Sequence, residues 1–336
     1  MDSRDVSGFE SETAILFTQL ILYCGAMSFL RISHFQRFSI PILLMIVTLG
    51  CTAFSGSEGT EALRNFLPSW TVQKYAKHDM AVMWAESPHL EQTSSRHIDN
   101  AGKPPILVFI EGDGRAWSSR SVRAANPSPT KPVAAQLANL TAGSNAALYL
   151  ARPCQFFDDQ VLAGLKQCKP KLWTDERYNA ETIALLSEVL DEALGPRSQP
   201  LVLVGYSGGG VIAAVLAAQR DDVVGLITVA ANLSVDTWTV HHRVSPLRSA
   251  SLPTDYAAQL GEIPQYHLLG IQDTVVPKIV HDAYLAALID LTRVKTVYVD
   301  GYDHSCCWPE SWLDHLHQAL AYFNDNSHGV GVTSHE

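Results

Sequence analysis

Positive charge is scarce in this chain. Lys and Arg number 24 against 34 Asp and Glu, a formal net charge of −10, and no cluster of basic residues stands out. Such a surface repels phosphate backbones, which excludes nucleic acid as the expected partner. No zinc-type spacing occurs among the 6 cysteines and 13 histidines, so no metal site is expected. There is no internal repeat and no low-complexity tract, which removes solenoids and compositionally disordered chains. The apolar run before Cys51 reaches about a dozen residues, short of the ~20 that a transmembrane helix needs. What is there is a globular composition, 47% hydrophobic and 17% charged over 336 residues, enough for one large domain or two small ones.

Arg31 and Arg37 precede the apolar run Ile40–Cys51. A basic stretch, a short apolar stretch and small residues at its end make a secretory signal. Thr48-Leu-Gly-Cys51 is similar to a bacterial lipobox, in which the cysteine becomes the lipidated first residue; threonine stands where leucine is usual. Thr52, in place of aspartate, then implies the outer membrane rather than the inner. The expectation is an exported protein, in the periplasm or at the outer membrane as a lipoprotein on Cys51. Residues 1–26 put Asp2, Asp5, Glu10 and Glu12 ahead of a second apolar run, Thr13–Cys24. Acidic flanks are wrong for a signal, so translation is expected to start at Met27; the competing reading joins both runs into a membrane anchor. The expected division is 1–51 as this N-terminal segment, 52–74 as a linker, 75–325 as the folded domain and 326–336 as a tail.

The strongest local pattern is Leu201–Gly210 followed by Val211–Ala218. Four apolar residues read as a buried strand, a Gly-rich corner follows, and an apolar run of helical length comes next. A corner this sharp strains its central residue, and Gly205 and Gly209 fall where a Cβ would strike the neighbouring strand or helix. Ser207 then projects its hydroxyl from the top of the sheet toward helix N-terminal N–H groups that favour developing negative charge. Gly205, Tyr206, Ser207, Gly208 and Gly209 form G-x-S-x-G, and here the chain resembles the α/β-hydrolase superfamily, whose nucleophile elbow has this pattern. The resemblance implies an α/β fold, a mostly parallel doubly wound sheet with helices on both faces, over roughly residues 75–325.

Upstream, Asp79–Trp84 alternates enough for an early strand, and residues 91–103 read as a loop. Ile106–Ile110 is a fully apolar strand that runs into Glu111-Gly-Asp-Gly-Arg115. In the superfamily the turn after the third strand supplies half of the oxyanion hole, so the resemblance implies the N–H of Asp113 as a donor, Gly114 as the second choice, and Gly208 contributing from the elbow. Glu111 stands where that turn usually has histidine. Arg115 and Trp117 either border the pocket or pack the loop. Ala146–Leu150 is the next strand. In an exported protein Cys154 and Cys168 would close a disulfide loop of about fifteen residues, worth roughly 3 kcal/mol; in a reducing compartment they would be two buried thiols. Tyr178–Leu194, apolar at Ile183, Leu186, Val189 and Leu190, is an amphipathic helix ending at Gly195-Pro196. Val223–Ala230 continues the strand–helix alternation.

Residues 232–262 break that rhythm where α/β-hydrolases carry their cap, between the sixth and seventh strands. The adjacent His241 and His242 read as a surface or hydrogen-bonding feature rather than a metal or base site. Tyr266–Ile271 is a strand, and Gly270, Asp273, Val276 and Pro277 after it match a G-x-x-D-x-x-V-P sequence common at the superfamily's acid position. Thr296–Val299 leads to Asp300–His304, with His304 where the superfamily has its base. The order Ser207, Asp273, His304 is the one this fold carries. Asp236, Asp300 and Asp303 are the rival acids. The resemblance then implies a serine hydrolase cleaving a carboxylic ester or related acyl bond of a small-molecule or lipid-like substrate, with no metal or organic cofactor. The same triad serves peptidases, thioesterases and acyltransferases, and a chain that kept only the fold would be a binding module. Cys306 and Cys307, beside the base, leave three states open: a vicinal disulfide, free thiols, or an external partner. Trp312–Phe323 reads as a closing helix.

Overall fold

The computed structural model describes residues 61–90, 104–197 and 199–327. The expectations for residues 1–51, lipidation of Cys51 and the start at Met27 included, lie outside the described residues. So do those for the loop 91–103 and for residues 328–336 of the tail.

Nine α-helices and eight strands follow one another among the described residues: α1 Glu61–Arg64, β1 Thr71–Lys77, β2 Met80–Glu86, β3 Ile106–Ile110, α2 Val133–Thr141, β4 Ala147–Leu150, α3 Asp159–Gly164, α4 Ala180–Leu194, β5 Leu201–Tyr206, α5 Gly208–Gln219, β6 Val223–Val229, α6 Val235–His242, α7 Ala257–Gly261, β7 Gln265–Gly270, α8 Lys278–Ala287, β8 Val294–Val299 and α9 Trp308–Ser327. The strands form one sheet in the order β1-β2-β4-β3-β5-β6-β7-β8. β2 pairs antiparallel with β1 and β4, and every later pairing is parallel. Strands β3, β4 and β5 are buried along their whole length. Parallel strands covered on both faces need continuous apolar runs rather than alternation, which is why ILVFI and LVLVGY read as they do.

Helices α2 and α9 pack on each other over one side of the sheet, and α4 and α5 over the other. On the first side, Trp312 of α9 donates its indole N–H to Thr141 Oγ1 at 2.8 Å and meets Phe109 edge-on at 5.8 Å. On the second, α5 is apolar all round and buried from Gly208 to Ala217, as a helix in the centre of a layer must be. Helix α4 is capped by Asn179, whose side chain accepts from Thr182 N at 2.8 Å, and stops at Gly195, where φ is 54°.

The structure corrects the division at residue 75. Part of the segment expected as a linker, 52–74, is folded: α1 buries Leu63, and β1 begins at Thr71 and adds an edge strand to the sheet. Only Val72 of β1 is buried, so the strand lacks the apolar alternation that marks one. Its hairpin with β2 turns on His78 and Asp79, both at positive φ (51° and 59°), in a two-residue loop closed by Lys77 and Met80. Such turns usually announce themselves by Asn-Gly or Asp-Gly, and His-Asp does not. Helix α9 also runs further at both ends than expected, so the tail starts later than residue 326. The excursion between β6 and β7 holds α6, a 3-10 turn at Pro253–Tyr256 and α7.

Candidate active site

Ser207 sits between β5 and α5 with φ 52° and ψ −123°, a conformation costly for a non-glycine residue. The neighbouring glycines make this corner possible. A Cβ on Gly205 would strike Gly210 and Gly209, and one on Gly209 would strike the carbonyl of Ile110. The serine hydroxyl therefore stands at the end of the sheet, over the N-terminus of an apolar helix.

The two partners arrive from the ends of β7 and β8. His304 places Nε2 2.9 Å from Ser207 Oγ and Nδ1 2.8 Å from Asp273 Oδ2. The Asp273 side chain is 1% exposed, and its other oxygen accepts the N–H groups of Val275 and Val276, each at 2.8 Å. Those two bonds fix the carboxylate's orientation, leaving Oδ2 for the imidazole. The backbone carbonyl of His304 takes the Tyr206 hydroxyl at 2.9 Å and the Trp308 indole N–H at 3.2 Å. The rival acids are occupied elsewhere. Asp303 caps its own turn by accepting from Ser305 N and Cys306 N, Asp300 accepts from Gln272, and Asp236 is exposed in the first turn of α6.

The loop after β3 lies alongside: a Cβ on Gly112 would stand 3.4 Å from that of Ser207. Its Gly112 N–H is already taken by Glu111 Oε1 at 2.9 Å, while no protein group among the described residues accepts from the N–H of Asp113. Helix geometry likewise leaves the N–H of Gly208 without an intrahelical partner. Gly114 turns at φ 66°, and a Cβ there would strike the carbonyl of Pro127 and the side chain of Gln155. Glu111 is 1% exposed, and Oε2 also takes the Tyr149 hydroxyl at 3.0 Å and Ala135 N at 3.3 Å. It anchors the loop where the superfamily's histidine usually stands. Burial outweighs those hydrogen bonds and pushes its carboxyl up to about 7.

The half-buried Asp113 side chain joins a group that sequence reading missed. It accepts from Arg152 Nη1 at 2.8 Å and the Tyr178 hydroxyl at 2.8 Å, and lies 3.4 Å from Arg177 Nε. Burial works against its charge, but Arg177 and Arg152 win and hold the carboxyl below the ordinary range. Arg152 and Arg177 follow a strand and precede a helix without periodicity, so no local pattern could have paired them with Asp113. A Cβ on Gly208 would run into the same carboxylate, which sets the cluster directly behind the elbow.

These elements surround a cavity of about 520 Å³ lined by Gly112, Asp113, Gly114, Arg115, Trp117, Lys131, Arg177, Ser207, Gly208, Asn232, Trp238, Val276 and His304, among others. Arg115 and Trp117 thus border the pocket. From the excursion, Trp238 and His242 both hydrogen-bond the carbonyl of Val275, at 2.7 and 2.8 Å, and tie that segment to the Asp273 loop. Of the histidine pair, His242 makes this hydrogen bond and His241 meets its ring edge-on at 4.9 Å. Cys154 and Cys168 are disulfide-bonded, and of the three states open to Cys306 and Cys307 the structure has the vicinal disulfide.

A mostly parallel sheet, a strained serine elbow after β5, and Asp and His at the ends of β7 and β8 define the α/β-hydrolase fold. No family profile matches the chain, and no curated protein does. Among solved structures it is similar to Est1E from Butyrivibrio proteoclasticus, at 12% identity over 76% of this chain and 98% of that one, with a TM-score of 0.48. It is also similar to a membrane phospholipase A at 14% identity over 86% and 97%, TM-score 0.48. A third is 2,6-dihydroxy-pseudo-oxynicotine hydrolase, at 16% over 77% and 68%, TM-score 0.49.

Proposed function

We propose that this chain is a serine hydrolase that cleaves a carboxylic ester or related acyl bond by way of an acyl-enzyme. The observation that carries the reading is the bridge of His304 between Ser207 Oγ and Asp273. An alcohol is too weak an acid to attack a carbonyl unaided. His304 therefore takes the proton from Ser207 as the Oγ–carbon bond forms, then delivers it to the leaving alcohol as the ester bond breaks. Water repeats the sequence on the acyl-enzyme and releases the acid. Asp273, with one oxygen held by two backbone N–H groups, keeps the imidazole in the right tautomer and stabilises it while charged. The N–H groups of Asp113 and Gly208 are assigned to the developing oxyanion, with Gly114 next along the loop. A backbone donor of this kind is worth about 3 kcal/mol.

The reading is tested with a fluorophosphonate probe and a panel of p-nitrophenyl acyl esters on the folded chain. Labelling and turnover that vanish together in Ser207→Ala are the expected result; folded wild-type protein that takes no label refutes it. We further propose that the protein works outside the cytoplasm, at the outer membrane or in the periplasm, with Cys51 lipidated. The basic and apolar stretches before Cys51 support this, as does the Cys154–Cys168 bond, a type that persists in oxidising compartments. The mass of the mature N-terminus is the check, and an unprocessed chain sinks it.

A further inference from the structure

The wall of the cavity behind Ser207 carries more positive charge than it needs to hold itself together. Arg152 and Arg177 both address the single carboxylate of Asp113, and their side chains are 6% and 7% exposed. Arg152, at 2.8 Å, together with the Tyr178 hydroxyl already satisfies that carboxylate. The neighbouring acids are committed: Asp175 pairs with Arg123 at 2.7 Å and Arg248 at 4.0 Å, and Glu111 serves Gly112, Ala135 and Tyr149. Two buried guanidinium groups therefore share one carboxylate, with the charge of Asp175 acting on Arg177 from further away, in a chain whose net charge is −10.

The two arginines differ in where they lie. Arg152 donates to the carbonyl of Arg177 and does not line the cavity; Arg177 does. The Arg177 guanidinium is held between Tyr178 and Trp238, 5.5 and 5.6 Å from their ring centres. Its Nε has no hydrogen-bond partner among the described residues. The same cavity has the exposed Lys131 and Arg115 at its edge, and Glu111 and Asp113 are the only acids among its lining residues. A planar fork with a fixed orientation, inside a positive mouth, is an anion receptor: the fork matches carboxylate or phosphate in two parallel hydrogen bonds, and the outer charges draw the anion in.

We propose that the substrate carries an anionic group, a carboxylate or phosphate, on the acyl or alcohol side of the scissile bond, and that Arg177 binds it. The inference rests on the serine-hydrolase reading of Ser207 and narrows its substrate class. The test compares matched esters. 4-Nitrophenyl hydrogen glutarate against its methyl ester puts the charge on the acyl side; 4-acetoxybenzoate against its methyl ester puts it on the alcohol side. Wild-type protein should favour the charged member of one pair by roughly tenfold or more in kcat/KM, mainly through KM, and the preference should shrink as sodium chloride is raised. Arg177→Gln should bring that ratio close to one, and Arg177→Lys, which keeps the charge but loses the fork, should fall between.

If Arg177 merely braces the loop, Arg177→Gln slows both members of each pair alike and the ratio survives, which overturns the proposal. A wild-type protein indifferent to charge in both pairs also overturns it, without any variant having to fold. Inorganic phosphate provides a readout independent of turnover: it should slow fluorophosphonate labelling of Ser207 in wild type and lose that effect in Arg177→Gln. Labelling without any anion preference removes this inference alone, whereas absent labelling removes the hydrolase reading with it.

Discussion

Above about pH 7 the Glu111 carboxylate is an ion in a place that does not favour one. Its side chain is enclosed, its three hydrogen-bond donors only partly replace water, and its carboxyl is held at about 7 against an ordinary 4.5. In the unfolded chain the group loses its proton through the ordinary value, while the folded chain keeps it until about 7. Between the two the native state binds more protons, so stability falls as pH rises across that window. Below it both states are protonated and the penalty is absent; above it the penalty is complete, at about 3 kcal/mol. Glu111→Gln removes the charge while its amide oxygen can still accept from Gly112. The variant should therefore lack this loss: the difference in melting temperature between variant and wild type should grow by roughly 5–10 °C from about pH 5 to about pH 8. Taking the difference cancels every other titrating group. Parallel profiles for the two proteins would falsify the claim that burial dominates at Glu111.

Asp273→Asn should lower kcat by orders of magnitude with an unchanged circular dichroism spectrum, because Asn can still accept from Val275 and Val276 but cannot stabilise the imidazolium; undiminished turnover would return the role to Asp236, Asp300 or Asp303. Replacing both Cys154 and Cys168 by serine should cost about 3 kcal/mol in urea unfolding, the loop-entropy value for a closure of this length, and an unaltered midpoint would mean the segment is ordered by packing alone.

The sequence by itself determined the sheet's centre and brought out Ser207, Asp273 and His304. β3 and β5 are legible because strands covered on both faces must be apolar at every position, and Ser207 because its corner tolerates only glycine where Gly205 and Gly209 stand. Asp273 and His304 are legible because each follows a strand in a pattern the resemblance supplies. What failed locally failed for physical reasons. β1 is a polar edge with a turn that lacks glycine, so nothing in its composition separates it from a linker. Helices α2 and α8 were not anticipated at all.

The tertiary structure alone decided how charge is arranged around Ser207. Asp113 could be placed beside the serine from the sequence, but that its side chain joins Arg152, Arg177 and Tyr178 depends on three segments meeting from different strands and loops. The same holds for Glu111, whose burial depends on Tyr149 and Ala135 closing over it. A backbone turn is a local matter of a few dihedral angles and leaves its signature in adjacent residues. A buried ionic cluster is set by distances between residues far apart in the chain, and those exist only once the sheet has formed.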